Sequence, residues 1–174
     1  MDDDLSVRRA EPADLSAVDR LLARSYPRLL APDYPPSVMV TAVPIIARAR
    51  PELLASGRYY LVLDCSGDVV GAGGYSLAAP GGRGGHRGAP SPPLGHIRHV
   101  ATDPDHVRRG VGRALMARIV KDAAREGVTR LECLSTLTAV PYYASFGFAQ
   151  LGAVEIPLAA GIVFPAIRML REGQ

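Results

Sequence analysis

Two glycines and three arginines form the most chemically suggestive group in the chain. They lie together in Val107-Arg108-Arg109-Gly110-Val111-Gly112-Arg113. Arginine supplies permanent positive charge and a fork of donors that matches phosphate oxygens. Glycine removes the side chain that would keep a phosphate away from the backbone. The stretch runs straight into a helical pattern, in which Val111, Leu115 and Ile119, and Met116, Val120 and Ala123, recur at helical spacing. The first amides of a helix have no partner inside it, and the helix dipole adds partial positive charge at that end. Residues of these types at this spacing can hold a diphosphate on backbone amides, with Arg108, Arg109 and Arg113 around it.

The surrounding elements must present that turn. Residues 96–102 read as a short strand, His96-Ile97-Arg98-His99-Val100-Ala101-Thr102, followed by a tight Asp103-Pro104-Asp105 turn. Gly127 sits where the helix should be capped. Residues 128–135 predict another strand, and residues 136–146 a helix with Thr138 as its cap and Pro141 in its first turn. Residues 148–158 and 162–170 supply two last strands around Ala159-Ala160-Gly161.

Upstream, residues 5–9 can make a first strand. A helix starting near Glu11 carries Leu15, Val18, Leu21 and Leu22 on one stripe to about Ala23. The prolines between Tyr26 and Pro36 predict a loop. A second helix is expected over 37 to about 48, kinked at Pro44, with a short helix or turn near 51–56. Residues 58–64 and 69–76 read as a hairpin. Gly71, Gly73 and Gly74 suggest a bulge or a close strand contact rather than a nucleotide loop, since no helix pattern follows them. The Gly/Pro-rich segment at about 79–93 predicts a mobile loop in which His86 is solvated.

At 174 residues, 48% hydrophobic and 21% charged, the chain suits a single domain over 1–174 with a substantial core. No apolar run is long enough to span a bilayer, and Met1-Asp2-Asp3-Asp4 is unlike the basic start of a secretory signal. A cytoplasmic protein without membrane association is therefore expected. Cys65 and Cys133 have no metal-ligand spacing, so two reduced thiols and no metal are expected. The net charge is +3, carried almost wholly by arginine, and tryptophan is absent. Without a basic run interleaved with aromatics, nucleic acid is not an expected partner.

The order β-α-α-β-β-β-α-β-α-β-β with this helix opening resembles the GNAT superfamily of acetyl-CoA-dependent N-acetyltransferases, from Val7 to Met169. The family signature is Gln or Arg, two residues, Gly, any residue, then Gly or Ala. Val107-Arg108-Arg109-Gly110-Val111-Gly112 departs from it at Val107. The demand falls mainly on backbone amides, so the resemblance still implies a pyrophosphate site there. It further implies that Val100, Ala101 and Thr102 pair their backbone with the pantetheine arm, as an added strand pairs with an exposed edge. The stretch from Ala139 to Phe148 is similar to the family's Phe-Tyr, three residues, Gly-Phe ending. That similarity makes Tyr143 the donor that protonates the departing thiolate of coenzyme A, a task for a phenol of pKa ~10.

Some members carry an acid or histidine four residues before the small triplet, and that spacing falls on His96. His96 and Arg98 then alternate onto one strand face, and His99 points to the other as a packed histidine. Glu132 is a rival base or half of a strand-face ion pair, and a water chain is the third alternative. The implied fold is α/β (α+β), with a mixed, mostly antiparallel, six- to seven-stranded central sheet flanked by helices and splayed at the cofactor cleft. The implied activity is transfer of acetyl from acetyl-CoA to a primary amine of a small molecule or peptide, by direct attack in a ternary complex. A non-catalytic acyl-CoA sensor on the same fold is the alternative, and a homodimer through the final strands is compatible with the pattern.

Overall fold

The computed structural model describes residues 4–80 and 93–173. Most of the Gly/Pro-rich segment, with His86, lies outside the described residues. The strands are β1 (Ser6–Arg9), β2 (Tyr59–Leu63), β3 (Val69–Ser76), β4 (Leu94–Thr102), β5 (Arg130–Ser135), β6 (Ala149–Ala159) and β7 (Ile162–Arg171). The helices are α1 (Leu15–Leu30), α2 (Pro36–Thr41), α3 (Val43–Ile46), α4 (Pro51–Leu54), α5 (Val111–Arg125) and α6 (Val140–Ala144). One seven-stranded sheet runs in the order β1-β2-β3-β4-β5-β7-β6. Every pairing is antiparallel except β4 with β5.

That one parallel pairing creates the site. β4 and β5 are joined only through Leu94↔Arg130, Gly95↔Leu131 and His96↔Glu132, and beyond His96 the two strands part. The continuation of β4 stays bonded to β3, through Ala72↔Ala101 and Gly71↔Thr102. β5 stays bonded to β7 as far as Ser135↔Ile167.

Apolar layers cover both faces. Under α5, Val111, Leu115, Met116 and Ile119 pack on Tyr60, Val62, Ile97, Leu131 and Cys133. On the opposite face, Val18, Leu21 and Leu22 of α1 pack on Tyr59, Leu61, Ala72 and Ala101. The glycines of β3 serve this packing. A Cβ on Gly74 would lie 2.1 Å from the Arg58 carbonyl oxygen, and one on Gly71 2.5 Å from Val111 Cγ1.

Three local expectations are corrected. α1 does not stop near Ala23 but continues through Pro27 to Leu30. Pro27 is exposed, whereas Ser25 and Leu30 are buried, so burying the last turn outweighs the hydrogen bond that proline cannot donate. The segment after it is two short helices, with Pro44 in the first turn of α3. α6 is shorter than 136–146 and begins after Ala139, because the Thr138 hydroxyl bonds Asp33 Oδ2 at 2.7 Å instead of capping the helix.

Candidate active site

A cleft of about 750 Å³ occupies the parting of β4 and β5. Its lining comes from both faces of the sheet: Tyr26 and Leu29 of α1 on one side, Cys133 and Tyr143 on the other, with Ile97 and residues 99–102 along β4. The opening therefore passes through the sheet.

The β4 edge of this cleft is polarised. Asp103 donates its amide to the Val70 carbonyl at 2.8 Å, so alternation turns the backbone groups of Thr102 and Val100 away from β3 and into the gap. Ser25 donates its hydroxyl to the Thr102 carbonyl at 2.8 Å, and Tyr26 to the Val100 carbonyl at 3.3 Å. α1 thus holds the strand edge at the height of the Val100-Ala101-Thr102 triplet.

At the mouth, the turn between β4 and α5 is bent by left-handed residues. Arg108 has φ 66 and Gly110 φ 85. Gly110 is needed for that backbone, since a Cβ there would meet almost nothing. Gly112 is needed for a different reason: a Cβ would lie 2.7 Å from the Tyr142 ring, whose hydroxyl donates to the Gly112 carbonyl at 2.8 Å. Val107, Arg108, Gly110, Val111, Gly112 and Arg113 all line the cleft, and Arg109 does not. Arg24 ties α1 to this turn through Asp105 and Asp103, and Asp103 also accepts the Asp105 amide at 2.9 Å.

Among the described residues, His99 and Arg108 are the non-glycine residues with positive φ, at 47 and 66. Such conformations cost on the order of 1–3 kcal/mol and persist where surrounding structure imposes them, often at functional sites. Both of these line the same cleft. His99 marks a bulge, because the β3–β4 register shifts between Ala72 and Gly74. The bulge breaks the expected alternation. Ile97 and Val100, three residues apart, share the α5 face, while Ala101 lies on the α1 face. His99 therefore does not point away from Arg98: both feel Arg50 and Glu52, on the same side of the sheet.

The structure does not bring His96 into the cleft lining, but sets it at the vertex, in the last paired register before the strands part. Its Nδ1 lies 3.6 Å from Glu132 Oε1 and has no hydrogen-bond partner. Burial lowers its pKa below the usual histidine value, against the opposing pull of Glu132. Glu132 is itself engaged, accepting Arg168 Nε at 2.8 Å and Nη2 at 2.6 Å. Burial lowers His99 further, to about 4.

Tyr143 is 6% exposed and makes edge contacts with Tyr142 and Phe148, at centroid separations of 5.1 and 5.4 Å. Burial raises its hydroxyl pKa well above 10, so it stays protonated. The same burial pushes the Cys133 thiol up to about 12. Among the described residues, no group of three or more His, Cys, Asp or Glu side chains could hold a metal ion, and no helix is long and apolar enough to cross a membrane.

Comparison with known proteins decides the family. A sequence model described as the acetyltransferase (GNAT) family matches residues 18–148, most of the chain. The chain belongs to the GNAT acetyltransferase family. No curated protein matches the sequence. Solved GNAT structures share its fold. A GCN5-related N-acetyltransferase from Rhodopseudomonas palustris superposes with a TM-score of 0.75 at 19% identity, over 96% of this chain and 94% of that one. The PaiA N-acetyltransferase from Thermoplasma acidophilum, in complex with coenzyme A, gives 0.67 at 10% identity, over 97% and 99%. The N-acetylglutamate synthase from Neisseria gonorrhoeae, complexed with coenzyme A and N-acetyl-glutamate, gives 0.61 at 17%, over 98% of this chain and 35% of that one.

The glycines of β3 signalled an irregularity, and the β3–β4 register does shift between Ala72 and Gly74. Which residue of β4 bulges escaped sequence reasoning in this GNAT chain. So did the packing of Tyr142 on Gly112, which needs α6 and α5 side by side.

Proposed function

We propose that the protein transfers the acetyl group of acetyl-CoA to a primary amine by direct attack in a ternary complex. The single observation that carries this reading is the through-sheet cleft where β4 and β5 part, reached from the glycine turn on one side and from α1 on the other. The residues present fit the coenzyme. Left-handed Arg108 and Gly110 turn the chain so that the first amides of α5 face the cleft mouth, where a pyrophosphate would accept them, with Arg108 and Arg113 alongside. The gap-facing amides of Val100 and Thr102 suit the amide groups of a pantetheine arm.

The thioester supplies the activated carbonyl. His96, neutral at pH 7 because its pKa is lowered, takes the proton that the ammonium must lose before attack. Tyr143, protonated throughout the useful pH range, returns a proton to the departing sulfur. A covalent acetyl-cysteine route is disfavoured, because a thiol titrating at about 12 presents almost no thiolate at pH 7. The non-catalytic sensor reading gains no observation of its own. Release of free thiol from acetyl-CoA across an amine panel, with product identified by mass, tests the proposal. Tight acetyl-CoA binding without release for any amine would refute it.

The assignment of the base has its own test. Protonating His96 removes the acceptor, so kcat/KM is expected to fall on the acid side, with a midpoint below the ordinary histidine value of ~6.5. His96→Gln should remove that limb and lower kcat/KM by about 10²-fold. Glu132→Gln removes the one charge that raises the His96 pKa, so the limb should move to still lower pH while the plateau persists. Collapse of the plateau in Glu132→Gln, with His96→Gln active, would assign the base to Glu132.

A further inference from the structure

The α1 face of β4 carries a charge that the acetyl-transfer chemistry leaves unused. The bulge at His99 places Arg98 and His99 on the same side of the sheet. Arg98 is half-buried, and among the described residues its side chain donates from Nη1 to the neutral Ser76 hydroxyl at 3.1 Å. Its charged neighbours are already committed. Arg50 pairs with Glu52 at 3.8 Å, both well exposed. Among the described residues, Arg98 is a half-buried cation with no carboxylate at ion-pair distance.

A guanidinium withdrawn from water without an anion is costly, and folding gains nothing by retaining it. Burial and the nearby Arg50 lower the Arg98 pKa, and Glu52 offsets this only in part. Arg98 also acts on both histidines of the site. Its charge lowers the pKa of His96 at the vertex and of His99 in the cleft lining. An anion bound there would sit beside the group that receives the amine proton.

We propose that the acceptor is an amine that also bears a carboxylate, and that Arg98 receives this carboxylate in a forked pair. The proposal rests on the acetyl-transfer reading above and specifies its substrate class. A guanidinium presents two parallel donors to a carboxylate, which fixes orientation as well as affinity. With the carboxylate so held, the amine of a short amino acid is directed toward His96 and the parting of the strands.

The test compares free α-, β- and γ-amino acids with their own carboxamides, reading acetyl-CoA-dependent thiol release. The wild-type protein is expected to favour the acid of at least one pair by about 10- to 100-fold in kcat/KM, mainly through KM. Arg98→Gln should bring that ratio close to unity, and Arg98→Lys should keep part of it. The acid and the amide differ in amine pKa equally for every variant, so the change in ratio isolates Arg98. Calorimetric acetyl-CoA binding reports whether each variant is folded. If Arg98→Gln fails to bind, the wild-type ratio and Arg98→Lys decide. Carboxamides used as well as acids by the wild-type protein, or a preference that survives Arg98→Gln, would overturn the carboxylate site while leaving acetyl transfer intact. Bound acetyl-CoA with no turnover of either member of any pair would likewise overturn the amino-acid acceptor, whereas absence of thiol release across the whole amine panel would overturn the acetyl-transfer reading itself.

Discussion

Gly112→Glu is expected to raise the acetyl-CoA dissociation constant by at least about 100-fold, the loss of one or two charge-assisted contacts. Two effects act together. The new Cβ would stand 2.7 Å from the Tyr142 ring, so the ring must leave and its hydrogen bond to the Gly112 carbonyl is lost. The carboxylate then projects into the cleft mouth, where it repels the pyrophosphate that the α5 amides would hold. Gly112→Ala shares the first effect and not the second, and should weaken binding much less. Tyr142→Phe keeps the ring and removes only the hydroxyl, which isolates that single bond. Calorimetric titration with acetyl-CoA, with thermal melting to follow the fold, separates the three variants. Wild-type affinity in folded Gly112→Glu would remove the phosphate assignment at this turn.

Tyr143→Phe is expected to lower kcat by roughly 10²-fold or more, the usual contribution of a positioned general acid. Acetyl-CoA affinity should hardly change, because the ring stays between Tyr142 and Phe148 and only the hydroxyl is lost. The buried phenol titrates well above 10, so the wild-type enzyme should show no alkaline limb from its ionisation below pH 10. Stopped-flow thiol release and equilibrium coenzyme binding, measured on the same preparation, give the two readings. A variant with full kcat would leave Tyr143 as a packing residue only.

These two predictions divide the site according to what the sequence could show. The glycine turn was legible because it is local: a strand, a turn and a helix start fall within a single run of residues, and backbone chemistry follows from their types. Gly110 needs its left-handed conformation whatever lies nearby. Gly112 has the same residue type, yet its constraint comes from Tyr142, thirty residues further along the chain. The end of α1 was misjudged for a related reason. Proline predicts a break from local hydrogen bonding alone, whereas Ser25, Tyr26 and Leu30 are held by β4 and β7, elements remote in sequence.

The facing of the histidines shows the same limit. Strict alternation separates His96 and Arg98 from His99, and one extra residue in β4 changes that parity. The glycines of β3 signal a bulge, but which residue of β4 carries it, and which face that residue takes, depends on how the two strands pair.

The sequence by itself determined the order of elements, the helix start suited to phosphate and the family to which they belong, because each is written in neighbouring residues. Only the tertiary structure decided where β4 leaves β5, which side chains meet across that gap, and that Arg98 pairs with no carboxylate among the described residues. Those outcomes depend on registers between distant segments and on how deeply each charge is buried. Both are fixed by the packing of the whole sheet between its two helical layers.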